Sequence, residues 1–320
     1  VRGALCNGEQ GGQWQVKCKT VTDLNLLVRE LECQASHKTR ARPQRTEMNA
    51  YTATLKHFAL IAIAMLGLAG CGGGSSNTSN SGTSNEGSRE LASIASGATG
   101  TDYPLSIYVP PATAGARTNL PVIYVLDGES WFETLVGIVE STRARLIIVA
   151  IGTAGKRSRD FVPANSCTLD GGGHTAYLQF LRQELIPYVE RTIGGDPSRR
   201  ILFGHSHGGS FVLYTLFAEA PAQHTFSTYL ASDSSISCLE PTANAWEQGY
   251  ASVYRDLPVR LHLSYATAGN YASNFAYSTT IAQRNYERLT FVGQVYSGSH
   301  TGIVPQVLAE GIAFALPGVP

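Results

Sequence analysis

The sequence predicts an α/β protein with a mostly parallel central sheet and helices on both faces, and three observations predict it. From residue 103 onward, short apolar runs of strand length alternate with segments whose apolar residues recur at helical spacing. Most of those runs are continuously apolar rather than alternating, as strands covered on both sides must be. One of them passes directly into a Gly-x-Ser-x-Gly turn and then into an apolar helix.

The elements follow in order. Leu105 to Val109 alternates as an edge-type strand that Pro110-Pro111 ends. Pro121 to Leu126 is a buried strand closed by Asp127-Gly128. Phe132, Leu135, Val136 and Val139 fall on one helical face, and Leu146 to Ile151 makes the next buried strand. The stretch from Gly152 to Gly173 is polar, Gly-rich and aperiodic, long enough to belong to a functional loop. Tyr177, Phe180, Leu181, Leu185 and Val189 predict a helix, Arg200 to Phe203 a strand, and Phe211 to Phe217 another helix. Strands at Ser227 to Ala231, Val259 to Tyr265 and Val292 to Tyr296, with helices at Ile281 to Leu289 and Ile303 to Phe314, complete one domain over residues 100–320.

The first hundred residues read differently. Met48 to His57 is a weakly basic start, Phe58 to Met65 an apolar run too short for a membrane span, and Leu68-Ala69-Gly70-Cys71 a small-residue cleavage site. Residues 48–70 therefore read as a secretory signal of the bacterial lipoprotein kind, with Cys71 the lipidated residue. Residues 71–99, rich in Gly, Ser and Asn at their start, read as a flexible tether. Residues 1–47 then read as a gene-model extension or leader, whose Cys6, Cys18 and Cys33 match no metal spacing. These features predict a lipid-anchored protein of the bacterial envelope, on the outer membrane and facing the periplasm or cell surface. The anchor would be its sole membrane contact.

The 320 residues carry 24 basic and 24 acidic side chains, so nothing in the charge favours a nucleic-acid partner. From Cys71 onward the balance is 15 basic against 19 acidic, with Lys156 the single lysine. Cys167 and Cys238 are the two cysteines of the folded part, and in an oxidising compartment such a pair is expected to be bridged, two buried thiols being the alternative.

The chemistry centres on Gly204-His205-Ser206-His207-Gly208-Gly209. A strand, a glycine-flanked serine and a helix together raise Ser206 at the carboxyl edge of the sheet, where the helix's first N–H groups face any developing oxyanion. A serine hydroxyl needs a base, and in this chain order the histidine follows the last strand, which selects His300. His205 and His207 are expected to point away from the nucleophile. The third member is open: Asp233 in Ser232-Asp233-Ser234-Ser235, Asn270 as a weaker orienting group, or a Ser-His dyad with none.

Several separated segments carry a resemblance: PVIYVLDGESWF from Pro121 to Phe132, Arg159-Asp160-Phe161, Glu184 to Glu190, the serine turn, and Ser299-His300. Over about residues 100 to 316 the chain resembles the esterase family of α/β-hydrolases that includes siderophore trilactone esterases and is similar in fold to S-formylglutathione hydrolases. The resemblance implies the α/β-hydrolase fold and a serine carboxylic-ester hydrolase working through an acyl-enzyme. It implies Ser206 and His300 as the reacting pair and an oxyanion hole from backbone N–H groups of Gly128 or Glu129 and of His207. The chain departs from the family where Ser232-Asp233-Ser234-Ser235 replaces a Ser-Pro-Ser step and where no Glu stands near Asn270.

The expected partner is a small soluble ester, with Arg157 and Arg159 in the long loop available to an anionic or siderophore-type substrate. No metal ligand set and no cofactor motif is seen, so none is expected. A non-catalytic ligand-binding lipoprotein on the same fold, favoured by the missing carboxylate, and an acyltransferase using the same acyl-enzyme are the other readings.

Overall fold

The structure, a computed structural model, describes residues 3–6, 9–10, 13–14, 18–21, 87–111, 117–164 and 166–317. The chain divides into two units, residues 1–77 and 78–320. In the first, Gly3–Cys6 pairs antiparallel with Cys18–Val21, and Glu9–Gln10 with Gln13–Trp14. The signal segment, Cys71 and most of the expected tether lie outside the described residues. Among those described, no helix is long and apolar enough to cross a membrane.

The second unit is built on one eight-stranded sheet. Its strands are β1 (Ser88–Ser96), β2 (Thr101–Val109), β3 (Val122–Val125), β4 (Ile147–Ile151), β5 (Arg200–His205), β6 (Thr228–Ser232), β7 (Arg260–Ala268) and β8 (Thr290–Ser299), in the spatial order β1-β2-β4-β3-β5-β6-β7-β8. From β4 to β8 every neighbour pair is parallel. The pairs β1/β2 and β2/β4 are antiparallel.

Two expectations change here. The tether ends earlier than residue 99, because Ser88–Ser96 forms β1. Consequently β2 is not an edge strand: it is paired on both sides, and β1 is the edge. Six of β1's nine residues are exposed, Leu91 among them, while its inward positions carry Ala92, Ile94 and Ser96, so its alternation is faint and it reads as loop.

The strand period of two splits the core. Val122 and Tyr124 of β3 pack on one face and Ile123 and Val125 on the other. The second face is covered by α1 (Gly128–Thr142) and the C-terminal helix Val304–Ala315. The first face is covered by α3 (His174–Phe180), the π turn Leu181–Leu185, α4 (Ile186–Thr192), α5 (His207–Phe217), α6 (Thr242–Val253) and α7 (Tyr271–Arg284). A short α2 (Arg157–Phe161) lies inside the long loop after β4. The helix expected at Ile281 to Leu289 is α7, displaced toward the N-terminus: it starts at Tyr271 and ends where Asn285 turns left-handed, φ 51°. Its buried face includes Asn274 and Ser278, which hides the apolar period.

This order brings the loops after β3, β5, β6, β7 and β8 to one edge of the sheet. Carboxyl ends of parallel strands are where such folds place ligands.

Candidate active site

β5 ends at His205 and α5 begins at His207, so Ser206 makes the whole turn alone, at φ 61° and ψ −119°. A residue with a Cβ is strained there, and the surroundings must hold it. They do so through the backbone: Ser206 N–H donates to Ser232 O (2.8 Å), and Ser206 O accepts from Ser210 N–H (3.0 Å) and Ser235 N–H (3.1 Å). Gly204 is required by the same turn, since a Cβ on it would meet Gly208 O at 2.3 Å. The Ser206 hydroxyl bonds Ser235 Oγ at 3.1 Å.

His300 follows the last residue of β8, and its Nδ1 lies 2.5 Å from Asp233 Oδ2. Asp233 follows β6 and is fully buried. A carboxylate only accepts, so Nδ1 carries a proton, and in the neutral imidazole Nε2 is then the nitrogen with the lone pair. Asp233 Oδ1 also accepts from Ala266 N–H (3.0 Å), and both its oxygens lie 3.2 Å from Asn270 N, so the last residues of β7 and the loop after it support it from behind. Burial pushes this carboxyl upward, but the His300 and backbone hydrogen bonds outweigh it and hold the group below its ordinary value. Asn270 donates Nδ2–H to Asp233 O at 3.0 Å, so its side chain is engaged with the Asp233 backbone.

His205 departs from expectation. Its ring packs on His300, centroids 4.4 Å apart, and on the edge of Trp131, instead of turning away from the site. Nδ1 bonds Ser232 Oγ at 3.1 Å, and burial together with the neighbouring His300 lowers its pKa to about 3, so this ring is neutral. His207 is half-buried, and burial lowers its pKa as well.

A cavity of about 260 Å³ is lined by Ser206, His300, His205, Trp131, Glu129 and Arg157 among others. The larger recess in the molecule, about 1010 Å³ between Arg89, Tyr108 and Arg145, lies toward the opposite edge of the sheet and contains none of these groups. The active-site wall includes the start of α1. Gly128 and Glu129 are its first residues, and Gly128 is fixed as glycine because a Cβ would meet Ile151 N at 2.6 Å. Glu129's carboxylate accepts from Thr153 N–H (3.2 Å) and Thr153 Oγ1 (2.5 Å), so toward an oxyanion this residue has its backbone N–H to offer.

The two expected substrate-binding arginines are committed to the protein. Arg157 makes a two-pronged bond to buried Asp127, Nε to Oδ1 2.6 Å and Nη2 to Oδ2 2.9 Å, and donates to His205 O at 3.1 Å. It thereby ties the loop before α1 to the end of β5. Arg159 is directed elsewhere, to Asp160 (2.7 Å), Thr101 (2.9 Å) and Tyr103 (3.0 Å), and does not line the cavity. Arg157 nevertheless lines the cavity.

Cys167 and Cys238 are joined in a disulfide, Cα to Cα 5.2 Å, across 71 residues. A His207 ring nitrogen lies within 4.8 Å of both sulfurs. Sulfurs already bonded to each other are not thiolates, so the three residues do not form a metal ligand set in this state.

Ser235, the Asp127–Arg157 pair and the stacking role of His205 escaped the sequence reading. Ser235 had one signal, its place in a run of small polar residues straight after a buried strand.

A family model described as Esterase matches residues 96–283. The chain is 28% identical over 240 residues to the ferri-bacillibactin esterase BesA of Bacillus subtilis, covering 64% of this chain and 82% of that one. It is 34% identical over 136 residues to the siderophore triacetylfusarinine C esterase of Aspergillus fumigatus, covering 38% of this chain and 46% of the relative. Among solved structures, the BES protein of Bacillus cereus superposes with a TM-score of 0.63 at 25% identity, covering 76% of this chain and 99% of that one.

Proposed function

The chain belongs to the Esterase family and is an ester hydrolase, and from this premise we propose that Ser206, His300 and Asp233 are its catalytic triad, acting on a siderophore-type ester. The observation that carries the proposal is the Asp233–His300 bond of 2.5 Å beside the strained Ser206 turn. It supplies the orienting carboxylate whose lack had favoured a ligand-binding protein.

In this reading His300 Nε2 takes the Ser206 proton as Oγ attacks the ester carbonyl. The oxyanion is held by the N–H groups of His207 and of Gly128 or Glu129, at the N-termini of α5 and α1. The alcohol leaves with the proton from His300, and water then hydrolyses the acyl-enzyme by the same route. Asp233 keeps the imidazole in the productive tautomer and stabilises its cation.

The substrate class rests on the two relatives, one named a ferri-bacillibactin esterase and the other a siderophore triacetylfusarinine C esterase, and on the cavity beside Ser206. The proposal also includes lipid attachment at Cys71 and an envelope location, supported by the Leu68-Ala69-Gly70-Cys71 pattern and by a disulfide that an oxidising compartment preserves. A panel from short acyl esters to siderophore trilactones, assayed by chromatography of products, tests the substrate. Preference for the trilactone by kcat/KM supports the reading, and trilactone left intact while short esters turn over opposes it. Intact mass of the membrane-extracted protein tests the anchor: a diacylglyceryl adduct on Cys71 supports it, an unmodified Cys71 opposes it.

A further inference from the structure

Ser235 is the hydroxyl in contact with the nucleophile, and its position is built rather than incidental. It is 7% exposed. Its N–H donates to Ser206 O (3.1 Å) and its C=O accepts from Cys238 N–H (3.2 Å). The preceding residue is clamped by buried Asn274, whose Oδ1 accepts from Ser234 N–H (3.1 Å) and whose Nδ2 donates to Ser234 O (2.7 Å). The backbone is held at this point, and Ser235 Oγ lies 3.1 Å from Ser206 Oγ.

We propose that Ser235 is a further catalytic residue, whose hydroxyl donates a hydrogen bond to Ser206 Oγ and supports that oxygen as the leaving group when the acyl-enzyme breaks down. The inference rests on Ser206 being the nucleophile.

A hydroxyl has one proton to give. When Ser206 directs its proton to His300 Nε2, the bond between the two serines persists with Ser235 as donor. During acylation the same bond is already made to Ser206 Oγ in the free enzyme and is kept as that oxygen attacks, so its net effect on kcat/KM is small. The ester oxygen of the acyl-enzyme is a poor acceptor, from which deacylation has more to gain. During deacylation water attacks the acyl carbon and its proton passes to His300. The C–Oγ bond then breaks, its electron pair returns to Oγ, and the imidazolium returns the proton to that oxygen. Negative charge gathers on Oγ in this step, and a donated hydrogen bond strengthens as it does.

The two half-reactions are separable with p-nitrophenyl acetate followed by stopped flow. Ser235→Ala should lower kcat and KM together by roughly 10- to 100-fold, the range expected for a lost bond to a charged oxygen. Its kcat/KM should stay within about twofold, and a burst of about one p-nitrophenolate per active site should precede the slow phase. Ser235→Thr, which keeps the hydroxyl, should restore kcat and abolish the enlarged burst. Ser235→Cys, a weaker donor of similar size, should fall between, and it serves in place of the Ala variant if that one melts early. Equal losses in kcat and kcat/KM without a burst, or no change in either, would overturn the proposal. Failure of the esterase reading looks different, since the unmodified protein would then give neither turnover nor burst.

Discussion

Asp233 Oδ2 and His300 Nδ1 meet at 2.5 Å although 67 residues separate them in sequence and the whole of β7 lies between their strands. Asp233 stands after the end of β6, one strand away from the elbow strand, and Ala266 N–H near the end of β7 together with Asn270 N–H in the loop after it helps keep it ionised. Asp233→Asn would leave the shape but offer the imidazole the wrong partner. We expect kcat to fall by roughly 10³- to 10⁴-fold, with the melting temperature changed by no more than a few degrees. A variant that retains a tenth or more of the activity would show that His300 works as a dyad.

Asn270 tests the support behind that acid. Asn270→Ala removes the Nδ2–H bond to Asp233 O but keeps the backbone N–H that faces the carboxylate. A loss of roughly fivefold to tenfold in kcat is expected, on the scale of one ordinary hydrogen bond. A loss as deep as that of Asp233→Asn would promote Asn270 to an orienting group in its own right.

The arginines give opposite expectations. Arg157→Ala leaves the Asp127 carboxylate buried and unpaired, and removing one partner of such a pair costs roughly 3 to 5 kcal/mol. It also unties the start of α1 from the end of β5, so kcat should fall for neutral and anionic esters alike. Arg159→Ala should cost stability and leave the ratio of KM values for anionic and neutral esters unchanged. A selective rise in KM for the anionic ester would return Arg159 to the substrate.

Buried histidines set the acid side of the stability profile. Burial lowers the pKa of His262 in β7 to about 4, and that of His205 to about 3, against an ordinary value near 6.5. The unfolded chain therefore takes up these protons first. Stability should be full above about pH 7 and fall as the pH drops from about 6.5 toward 4. His262→Gln should flatten that fall in urea titrations made at pH 7 and pH 5. An equal slope in both proteins would remove His262 from the account.

The disulfide closes a span of 71 residues, worth about 4 kcal/mol in the chain-entropy model. The native protein should show no free thiol among Cys167 and Cys238 on alkylation. Cys167→Ser with Cys238→Ser should melt well below the parent. Two alkylated sulfurs in the unreduced protein would contradict the bond.

What could be read from sequence was what depends on short stretches of chain. The runs Val122–Val125 and Ile147–Ile151 are apolar throughout because both faces of their strands are buried, and the elbow announces itself because strand, glycine and helix are contiguous. What could not be read depends on sheet order or distant partners. Asp233 and Asn270 are equal candidates for the third member in sequence, because only the neighbouring ends of β6 and β7 bring Asp233 Oδ2 to His300 and the Asn270 amide to the Asp233 carbonyl. Arg157 looked free because its partner stands 30 residues earlier, in an Asp-Gly that reads as an ordinary turn. β1 is hidden in the tether because its apolar residues are split, with Leu91 turned to solvent and Ala92 and Ile94 turned to the core, which leaves no clear apolar face.

Attack of Ser206 on the ester carbonyl is open to test with a fluorophosphonate, which labels an activated serine covalently. Intact mass and peptide mapping of the treated protein should find one phosphonyl group, on Ser206, appearing at the rate at which p-nitrophenyl acetate turnover disappears. Ser206→Ala should take up none and hydrolyse nothing. Turnover that survives in Ser206→Ala, or inactivation with the label on another residue, would contradict the account.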